Sequence, residues 1–316
     1  MYVFKMSEIN NLTVNIYRDG FVESSHEINV YSNSKHSDDY FFPRSAVKPM
    51  QVMPLLIEAS KQNIEFDIKE IALFASSHSG QEEHTEFLKS IANKYEISLD
   101  NLACGPQRPF HEETIDSIIR KGDNFTELHN NCSGKHLSML IFSKILGVEQ
   151  NDYCQLTHKT QEIIKDYFIE IFDTNDIGFG IDGCGLPAIR LKVSNFLKSI
   201  QIMQDSHNSN IWNKVFSAYM QYPTIIGGEN RTDTNIIINS KRDLMAKSGA
   251  EGVLFTSDNN ESLVFNCIDG SKRGVDLAAT FYLNKMGWIS EKPYKYIEST
   301  LIFNKQNIRA VEIEVV

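Results

Sequence analysis

A serine and a lysine three residues apart, Ser45 and Lys48, form the first pair in the chain whose types and spacing could do chemistry. If they open a helix, this spacing places both side chains on one face, within contact distance. A serine hydroxyl becomes an effective nucleophile when a base takes its proton, and an uncharged lysine amine is such a base. The pair therefore indicates nucleophilic catalysis.

Ser-x-x-Lys also arises often by chance, usually as a helix-capping serine followed by a solvated lysine. The flanking sequence argues against that alternative, because residues 50–57 are mostly apolar and predict a buried segment. A lysine in such a segment must be paired or uncharged. The surroundings of Lys48 thus favour a chemical role.

Ser77 follows the apolar run of residues 71–75, which we interpret as a buried strand. The strand would deliver the polar residues 76–80 at its tip, and such junctions often carry catalytic side chains in α/β proteins. Taken alone, Ser77 and His78 are more typical of simple turn chemistry. Their functional interpretation depends on the other motifs.

Cys132 and Lys135 also stand three residues apart, with His129 and His136 close by. Cysteine and histidine are natural zinc ligands, whereas lysine is a rare ligand that must first lose its proton. Cys184, in a glycine-dense loop, could join Cys132 on a metal ion. The alternative is that Cys132 is a small buried residue and Lys135 a surface charge.

Two further polar segments offer candidate functional groups. Arg231, in the loop at residues 227–234, could hold a substrate carboxylate in a fork, or could pair with Asp233 and only brace the loop. Lys247 opens a Lys-Ser-Gly tripeptide beside a predicted strand. Lys-Ser/Thr-Gly accompanies Ser-x-x-Lys in the penicillin-recognising acyl transferases, so the combination strengthens the hypothesis of a serine nucleophile.

Periodicity predicts the elements that must position these residues. A hairpin joins strands 12–17 and 21–31 through Asp19-Gly20. Ser79 and Glu82 fit a capping box that opens a helix over residues 80–95. Further helices are predicted at 50–61, 112–121, 135–146, 157–172, 194–204, 208–221 and 274–286, and further strands at 253–257, 262–267 and 309–316. Strands and helices in this arrangement indicate an α/β (α+β) fold, in one domain over residues 1–316 with one or two lobes.

Composition limits the classes of partner and location. The chain has 316 residues, 41% of them hydrophobic and 23% charged, and a formal net charge of −10. This negative balance argues against nucleic acid and anionic membrane surfaces as partners. Five cysteines do not suggest a disulfide scaffold, and residues 1–8 show no signal peptide. We therefore expect a cytoplasmic protein without a membrane anchor.

Several stretches together resemble one family, and they occur in the family's order over nearly the whole chain. They lie at residues 42–51, 75–80, 104–106, 129–136, 182–187 and 247–252. The most specific of them is His-Asn-Asn-Cys-Ser-Gly-Lys-His at 129–136. The chain resembles the rhizobial-type L-asparaginases, also called the asparaginase II family.

The resemblance implies a fold similar to the serine β-lactamases and their glutaminase relatives, with a mixed sheet flanked by helices, usually as a homodimer. It also implies two serine–lysine pairs, which fall here on Ser45 with Lys48 and on Ser77 with Lys247. The family's zinc site uses two cysteines and a lysine. By motif, the implied ligands are Cys132, Cys184 and Lys135.

The resulting hypothesis is hydrolysis of L-asparagine to L-aspartate and ammonia through an acyl-enzyme. We favour Ser45 as nucleophile with Lys48 as base, while Ser77 with Lys247 extends the proton relay or itself supplies the nucleophile. Substrate contacts are assigned to Arg44, His136 and Arg231. The alternatives are a glutaminase or β-lactam hydrolase of the same fold, and a non-catalytic protein that binds zinc or an amino acid.

Overall fold

The nine β-strands of residues 11–316, the part of the chain that a computed structural model describes, form two sheets. They are β1 (Asn11–Arg18), β2 (Phe21–Ser32), β3 (Tyr40–Phe41), β4 (Gly178–Ile181), β5 (Pro187–Lys192), β6 (Met245–Gly249), β7 (Val253–Ser257), β8 (Ser262–Cys267) and β9 (Glu312–Val315). The larger sheet has the order β6-β7-β8-β2-β1-β9, and the smaller has the order β3-β5-β4. Neighbouring strands within residues 11–316 pair antiparallel. The sequence interpretation of residues 1–8 lies outside the described residues.

A hairpin starts the larger sheet, as the sequence predicts. Every second residue of β1 from Leu12 to Ile16 is buried, which is the period of a strand with one covered face. Asp19 and Gly20 both have left-handed φ angles, 49° and 78°, so the chain turns back at once into β2.

Thirteen α-helices lie within the described residues and cover the sheets. They are α1 (Lys48–Gln51), α2 (Met53–Lys61), α3 (Ile68–Phe74), α4 (Glu82–Lys94), α5 (Glu112–Lys121), α6 (Ser133–Leu146), α7 (Lys159–Ile171), α8 (Val193–Asp205), α9 (Ser209–Gln221), α10 (Pro223–Ile226), α11 (Thr232–Ile238), α12 (Lys272–Lys285) and α13 (Lys292–Ile302). α12 contacts β1, β2, β7 and β8, and α8 contacts β2, β5 and β8. Successive residues of β7 are buried, so this strand is covered on both faces. The predicted α/β class, with sheets flanked by helices, is confirmed.

Residues 71–75 are not the strand that the sequence analysis predicts, because they lie in and directly after α3. The helix begins with a reciprocal cap in which the Asp67 N–H donates to the Glu70 carboxylate. All of residues 71–75 are buried. A short, uniformly apolar run does not distinguish a buried strand from a buried helix, and this ambiguity explains the error.

The predicted capping box of Ser79 and Glu82 is also wrong, although the helix it was expected to open exists as α4. The N-cap residue of α4 is Gln81. Ser79 Oγ instead donates a hydrogen bond to Gly227 O, at 2.7 Å. Ser79 therefore ties the polar loop at residues 76–80 to a distant part of the chain.

Most other predicted helices are confirmed to within two residues, and α5 matches its prediction and ends at the left-handed Gly122. The predicted helix at 50–61 is divided into α1 and α2 at Val52. The glycine-dense loop at 178–185 begins with β4, and Lys247 lies within β6 rather than before a strand. Within residues 11–316, each helix is too short or too polar to cross a bilayer.

Candidate active site

Two serines from separate segments line one cavity of about 570 Å³. Ser45 lies in a 3-10 helix, Arg44–Val47, and Ser77 lies in the loop that follows α3. Lys48 and Lys247 are buried behind the wall of this cavity, where they contact residues that line it. The structure therefore brings both predicted serines and both predicted lysines to one place.

Close backbone approaches at two glycines make this convergence possible. A Cβ atom on Gly249 of β6 would lie 2.5 Å from Pro43 O, so β6 can pass the 3-10 helix only with glycine there. A Cβ atom on Gly134 of α6 would lie 2.3 Å from Leu73 O. The first contact places β6, which carries Lys247, against the 3-10 helix of Ser45. The second places α6, which carries Lys135, against α3, which the loop of Ser77 follows.

Lys48 is hydrogen bonded to the serine of the other motif. Its Nζ donates to Ser77 Oγ at 2.9 Å and to Ser76 O at 2.6 Å, and lies 3.3 Å from Cys132 Sγ. These contacts within residues 11–316 do not include the Ser45 hydroxyl, which stands in the cavity wall one turn before Lys48. The hydrogen bond of Lys48 to Ser77 therefore joins the two motifs.

Lys247 pairs with a buried carboxylate that the sequence analysis considers only as a partner of Arg231. Its Nζ lies 3.7 Å from Asp233 Oδ2 and donates to Ser248 O at 2.9 Å. Burial lowers the pKa of Lys247 to about 7, although the Asp233 charge opposes this shift. Burial would raise the pKa of Asp233, but Lys247 and Arg231 hold it below its ordinary value. Lys247 therefore changes charge near neutral pH.

Lys135 is fully buried, and its Nζ has no hydrogen-bond partner in the described part of the chain. Burial is the main reason that its pKa lies well below the ordinary value, and the Lys48 charge lowers it further. An uncharged amine offers a lone pair, which is what a metal ion requires of a lysine ligand. The environment of Lys135 therefore fits a ligand and does not fit a surface charge.

Cys132 and Cys184 interact through their sulfur atoms and form no disulfide. The hydrogen bond from Cys184 and the nearby Lys48 lower the pKa of Cys132 to about 6, against the effect of burial. The same hydrogen bond and burial raise the pKa of Cys184. Both cysteines line the cavity, and both act on the pKa of Lys135 through their charge. Two sulfurs and an unpartnered amine thus meet the donor chemistry of a zinc site.

His136, a predicted substrate contact, is fully buried and is absent from the cavity wall as the described residues form it. Its Nδ1 lies 2.5 Å from the Tyr153 hydroxyl, while its Nε2 has no partner within residues 11–316. Burial, followed by the charges of Lys48 and Lys135, lowers its pKa to about 3. His136 is therefore a buried, uncharged imidazole, close enough to Lys48 and Lys135 for their charges to lower its pKa.

Arg44, the second predicted substrate contact, does line the cavity and is held in position by Asp182. Its Nη2 donates to Asp182 Oδ1 at 2.6 Å, and its backbone has a left-handed φ of 50°. Burial would raise the pKa of Asp182, but the hydrogen bond and charge of Arg44 hold it below its ordinary value. The pair joins the Ser45 segment to the loop that carries Cys184.

Three buried polar atoms of cavity-lining residues have no hydrogen-bond partner within residues 11–316. They are Arg44 Nε, Arg231 Nε and Ser248 Oγ. The Arg231 guanidinium also stacks over the Phe110 ring, 4.9 Å from its centroid. Because buried donors are normally satisfied, these atoms mark where a polar ligand would gain hydrogen bonds.

Asp182 and Ser248 are not among the functional residues predicted from the sequence, and Asp233 is predicted there only to brace its loop. All three lie inside motifs identified in the sequence, at 182–187, 247–252 and 227–234. The sign of a role that the sequence offered is that each of them lies within two positions of a residue with a predicted role. Their contacts with Arg44 and Lys247 depend on the packing of distant segments and could not be read from those motifs.

Two solved structures match this chain over most of its length. A crystal structure assigned as a β-lactamase from Bacteroides dorei DSM 17855 matches with a TM-score of 0.43 and 10% identity, covering 92% of this chain and 94% of that one. A β-lactamase from Mycobacterium bovis matches with a TM-score of 0.34 and 10% identity, covering 85% and 92%. Both likenesses are weak, and nothing about the reaction follows from them. No curated protein matches the chain.

A family-level comparison gives a different result. The family described as L-asparaginase II matches residues 14–315, which is nearly the whole chain. The match includes every segment that lines the cavity or lies directly behind it. The chain belongs to the L-asparaginase II family.

Proposed function

We propose that the protein hydrolyses the side-chain amide of L-asparagine to give L-aspartate and ammonia, with the serines and lysines of this cavity as its catalytic groups. The observation that carries the proposal is the hydrogen bond from Lys48 Nζ to Ser77 Oγ, at 2.9 Å, in a cavity that Ser45 also lines. A buried amine that is hydrogen bonded to one serine hydroxyl, in a cavity that a second serine also lines, can serve as the proton carrier for a serine nucleophile.

The proposed reaction has two stages. Ser45 Oγ attacks the amide carbon, and Lys48 acts as the base that takes the hydroxyl proton. Ser77 relays that proton to the amide nitrogen, so that the C–N bond breaks and ammonia leaves. Water then hydrolyses the aspartyl ester on Ser45, with proton transfer in the reverse direction through the same groups. We assign the attack to Ser45 because Ser77 is only 2% exposed, whereas Ser45 is half-buried in the cavity wall.

The unpartnered donors of the cavity wall support an orientation for the substrate. Arg44 Nε, Arg231 Nε and Ser248 Oγ can bind the α-carboxylate, because a carboxylate accepts several hydrogen bonds at once. Asp182 would then lie near the α-amino group, for which a carboxylate is the natural partner. In this orientation the side-chain amide of the substrate faces Ser45 and Ser77.

Cys132, Lys135 and Cys184 would hold a zinc ion, since their donor atoms fit one and Lys135 Nζ has no other partner within residues 11–316. Zinc bound there would supply a fixed positive centre that helps to organise substrate binding. The chain's own contribution is to keep the Lys135 amine uncharged through burial and through the neighbouring Lys48.

An ammonia-release assay with asparagine and glutamine, combined with hydroxylamine as a competing nucleophile, tests the proposed function. Asparagine should release ammonia, and hydroxylamine should divert the aspartyl ester to β-aspartyl hydroxamate without slowing ammonia release. Faster turnover of glutamine would assign the site to a glutaminase. Binding of asparagine without release of ammonia would overturn the proposal in favour of a non-catalytic protein.

The pH dependence of the reaction should follow the charge of Lys247. We include Lys247 in the relay as a further proton acceptor, so we expect kcat/KM to fall as the pH drops through about 7, where Lys247 gains a proton. Asp233→Asn removes the charge that opposes the lowering of this pKa, so the acid limb should move to lower pH. A profile whose acid limb is unchanged in the Asp233→Asn protein would contradict this role.

A further inference from the structure

A second group of metal-ligand side chains lies away from the catalytic residues, where β2 and β8 reach the start of α12. It consists of His26, Cys267 and Asp269. His26 Nδ1 lies 2.6 Å from Asp269 Oδ2, and Cys267 Sγ lies 3.0 Å from Asp269 Oδ1. One ligand atom from each residue lies within 4.8 Å of the other two. The three residues are separate from the wall of the active-site cavity as the described chain forms it.

Backbone hydrogen bonds hold these three residues in place. β2 and β8 are paired, with Ile28 opposite Cys267, and the N–H of Ile268 donates to Glu27 O at 2.9 Å. The N–H of Ser271 donates to Asp269 Oδ1 at 2.9 Å. A group of ligands on paired strands and a capped turn is positioned before any ligand binds, which reduces the cost of binding.

We propose that His26, Cys267 and Asp269 form a binding site for a zinc-type divalent metal ion, distinct from the cysteine–lysine site of the catalytic cavity. Imidazole, thiolate and carboxylate are the three ligand classes that zinc takes from proteins, and three such ligands leave one coordination position open. His26 and Cys267 are nearly fully buried, while the Asp269 side chain is 48% exposed. The exposed carboxylate gives an ion a route in from solvent.

Arg273 controls this site through the second nitrogen of His26. Its Nε donates to His26 Nε2 at 3.0 Å, so without metal the imidazole proton is on Nδ1 and is donated to Asp269. When the metal binds Nδ1, that proton moves to Nε2, and the Cys267 thiol proton is released to solvent. Nε2 then carries a proton that faces the Arg273 donor, so Arg273 must move away. Arg273 therefore weakens metal binding in the native chain.

Zinc titration of the full-length protein, with bound zinc counted by a colorimetric chelator, tests the site. Asp269→Asn and Cys267→Ala should each bind one zinc ion fewer per chain than the native protein at the same free zinc concentration. Their affinity for zinc at this site should fall by more than about 10–100-fold, which is the loss expected when a residue that only hydrogen bonds to a metal ligand is removed. Cys154→Ala, a cysteine outside both groups, is the matched control and should bind as the native protein does.

Cobalt(II) gives a second readout, because thiolate ligation adds a near-ultraviolet charge-transfer band. The band of the native protein should lose intensity in Cys267→Ala and keep it in Cys154→Ala. If Asp269→Asn and Cys267→Ala bind as much zinc as the native protein with the same affinity, the site does not exist. If Cys267→Ala alone loses zinc, the three-ligand assignment is wrong.

The role of Arg273 has its own test on the same titration. Arg273→Gln should bind zinc at this site about tenfold more tightly, because His26 Nε2 is freed and a positive charge is removed. Lys272→Gln removes a neighbouring charge of the same sign that makes its contacts with Asp276 and Thr232 instead. If the zinc affinity of both variants rose by the same factor, the cause would be the loss of a nearby positive charge. The proposed effect of the Arg273 contact with His26 would then be wrong.

Discussion

Replacing Ser45 with alanine is expected to lower kcat for asparagine by on the order of 10⁴-fold or more, because the nucleophile of the proposed reaction is lost. Replacing Ser77 with alanine is expected to cost less, about 10²- to 10⁴-fold, since only a proton relay is removed. The measurement is steady-state ammonia release, with formation of hydroxamate as the second readout. Ser45→Ala should abolish both signals, while Ser77→Ala should slow both together.

Substrate binding separates loss of chemistry from loss of structure in this pair. Ser45→Ala should bind asparagine with an affinity near that of the native protein, because Arg44, Arg231 and Ser248 remain in the cavity wall. Its melting temperature should also stay close to the native value. If Ser45→Ala kept hydroxamate formation and Ser77→Ala lost it, Ser77 would be the nucleophile and the proposed order of the relay would reverse.

Replacing Lys135 with methionine is expected to stabilise the metal-free protein by about 1–3 kcal/mol, although it removes a proposed metal ligand. Lys135 Nζ is a fully buried donor without a partner in the described part of the chain. Leaving such a group unsatisfied costs about this much, and a methionine of similar length fills the same space without it. The measurement is the free energy of unfolding in the presence of a chelator.

Zinc should reverse this order of stability. At about 100 times its Kd, zinc stabilises a protein that binds it only when folded by about 2.7 kcal/mol. The native protein should gain this amount at the cysteine–lysine site, and Lys135→Met should not. Lys144→Met, on the exposed side of the same helix, removes contacts with Glu96 and Tyr95 and should respond to zinc as the native protein does. A native-like response of Lys135→Met to zinc would argue against Lys135 as a ligand.

The three lysines of the site share one physical feature, and the predictions for the serines and for Lys135 both depend on it. Three amines, those of Lys48, Lys135 and Lys247, are buried close together, and the charge of Lys48 lowers the pKa of the other two. For Lys135 and Lys247, burial and repulsion by Lys48 both favour the uncharged amine. An uncharged amine can take a proton from serine or bind a metal, so one packing arrangement supports both proposed roles.

Local sequence signals account for the parts of the fold that depend on near neighbours. The hairpin of β1 and β2 follows from alternating burial and from Asp19-Gly20, and α5 ends where Gly122 allows a left-handed turn. The same local reasoning fails at residues 71–75, where both a strand and a helix would be buried on every side. Tertiary packing alone selects α3 there.

The sequence by itself determined which residue types are present and, through ordered motifs, that Ser45, Lys48, Ser77 and Lys247 belong to a single candidate site. Only the tertiary structure decided their partners: Lys48 is bonded to Ser77, 29 positions away, and Lys247 pairs with Asp233. The spacing of residues within a motif predicts contacts within one turn of a helix or between adjacent strands. Contacts between segments depend on how buried groups satisfy their charges and hydrogen bonds when those segments pack together.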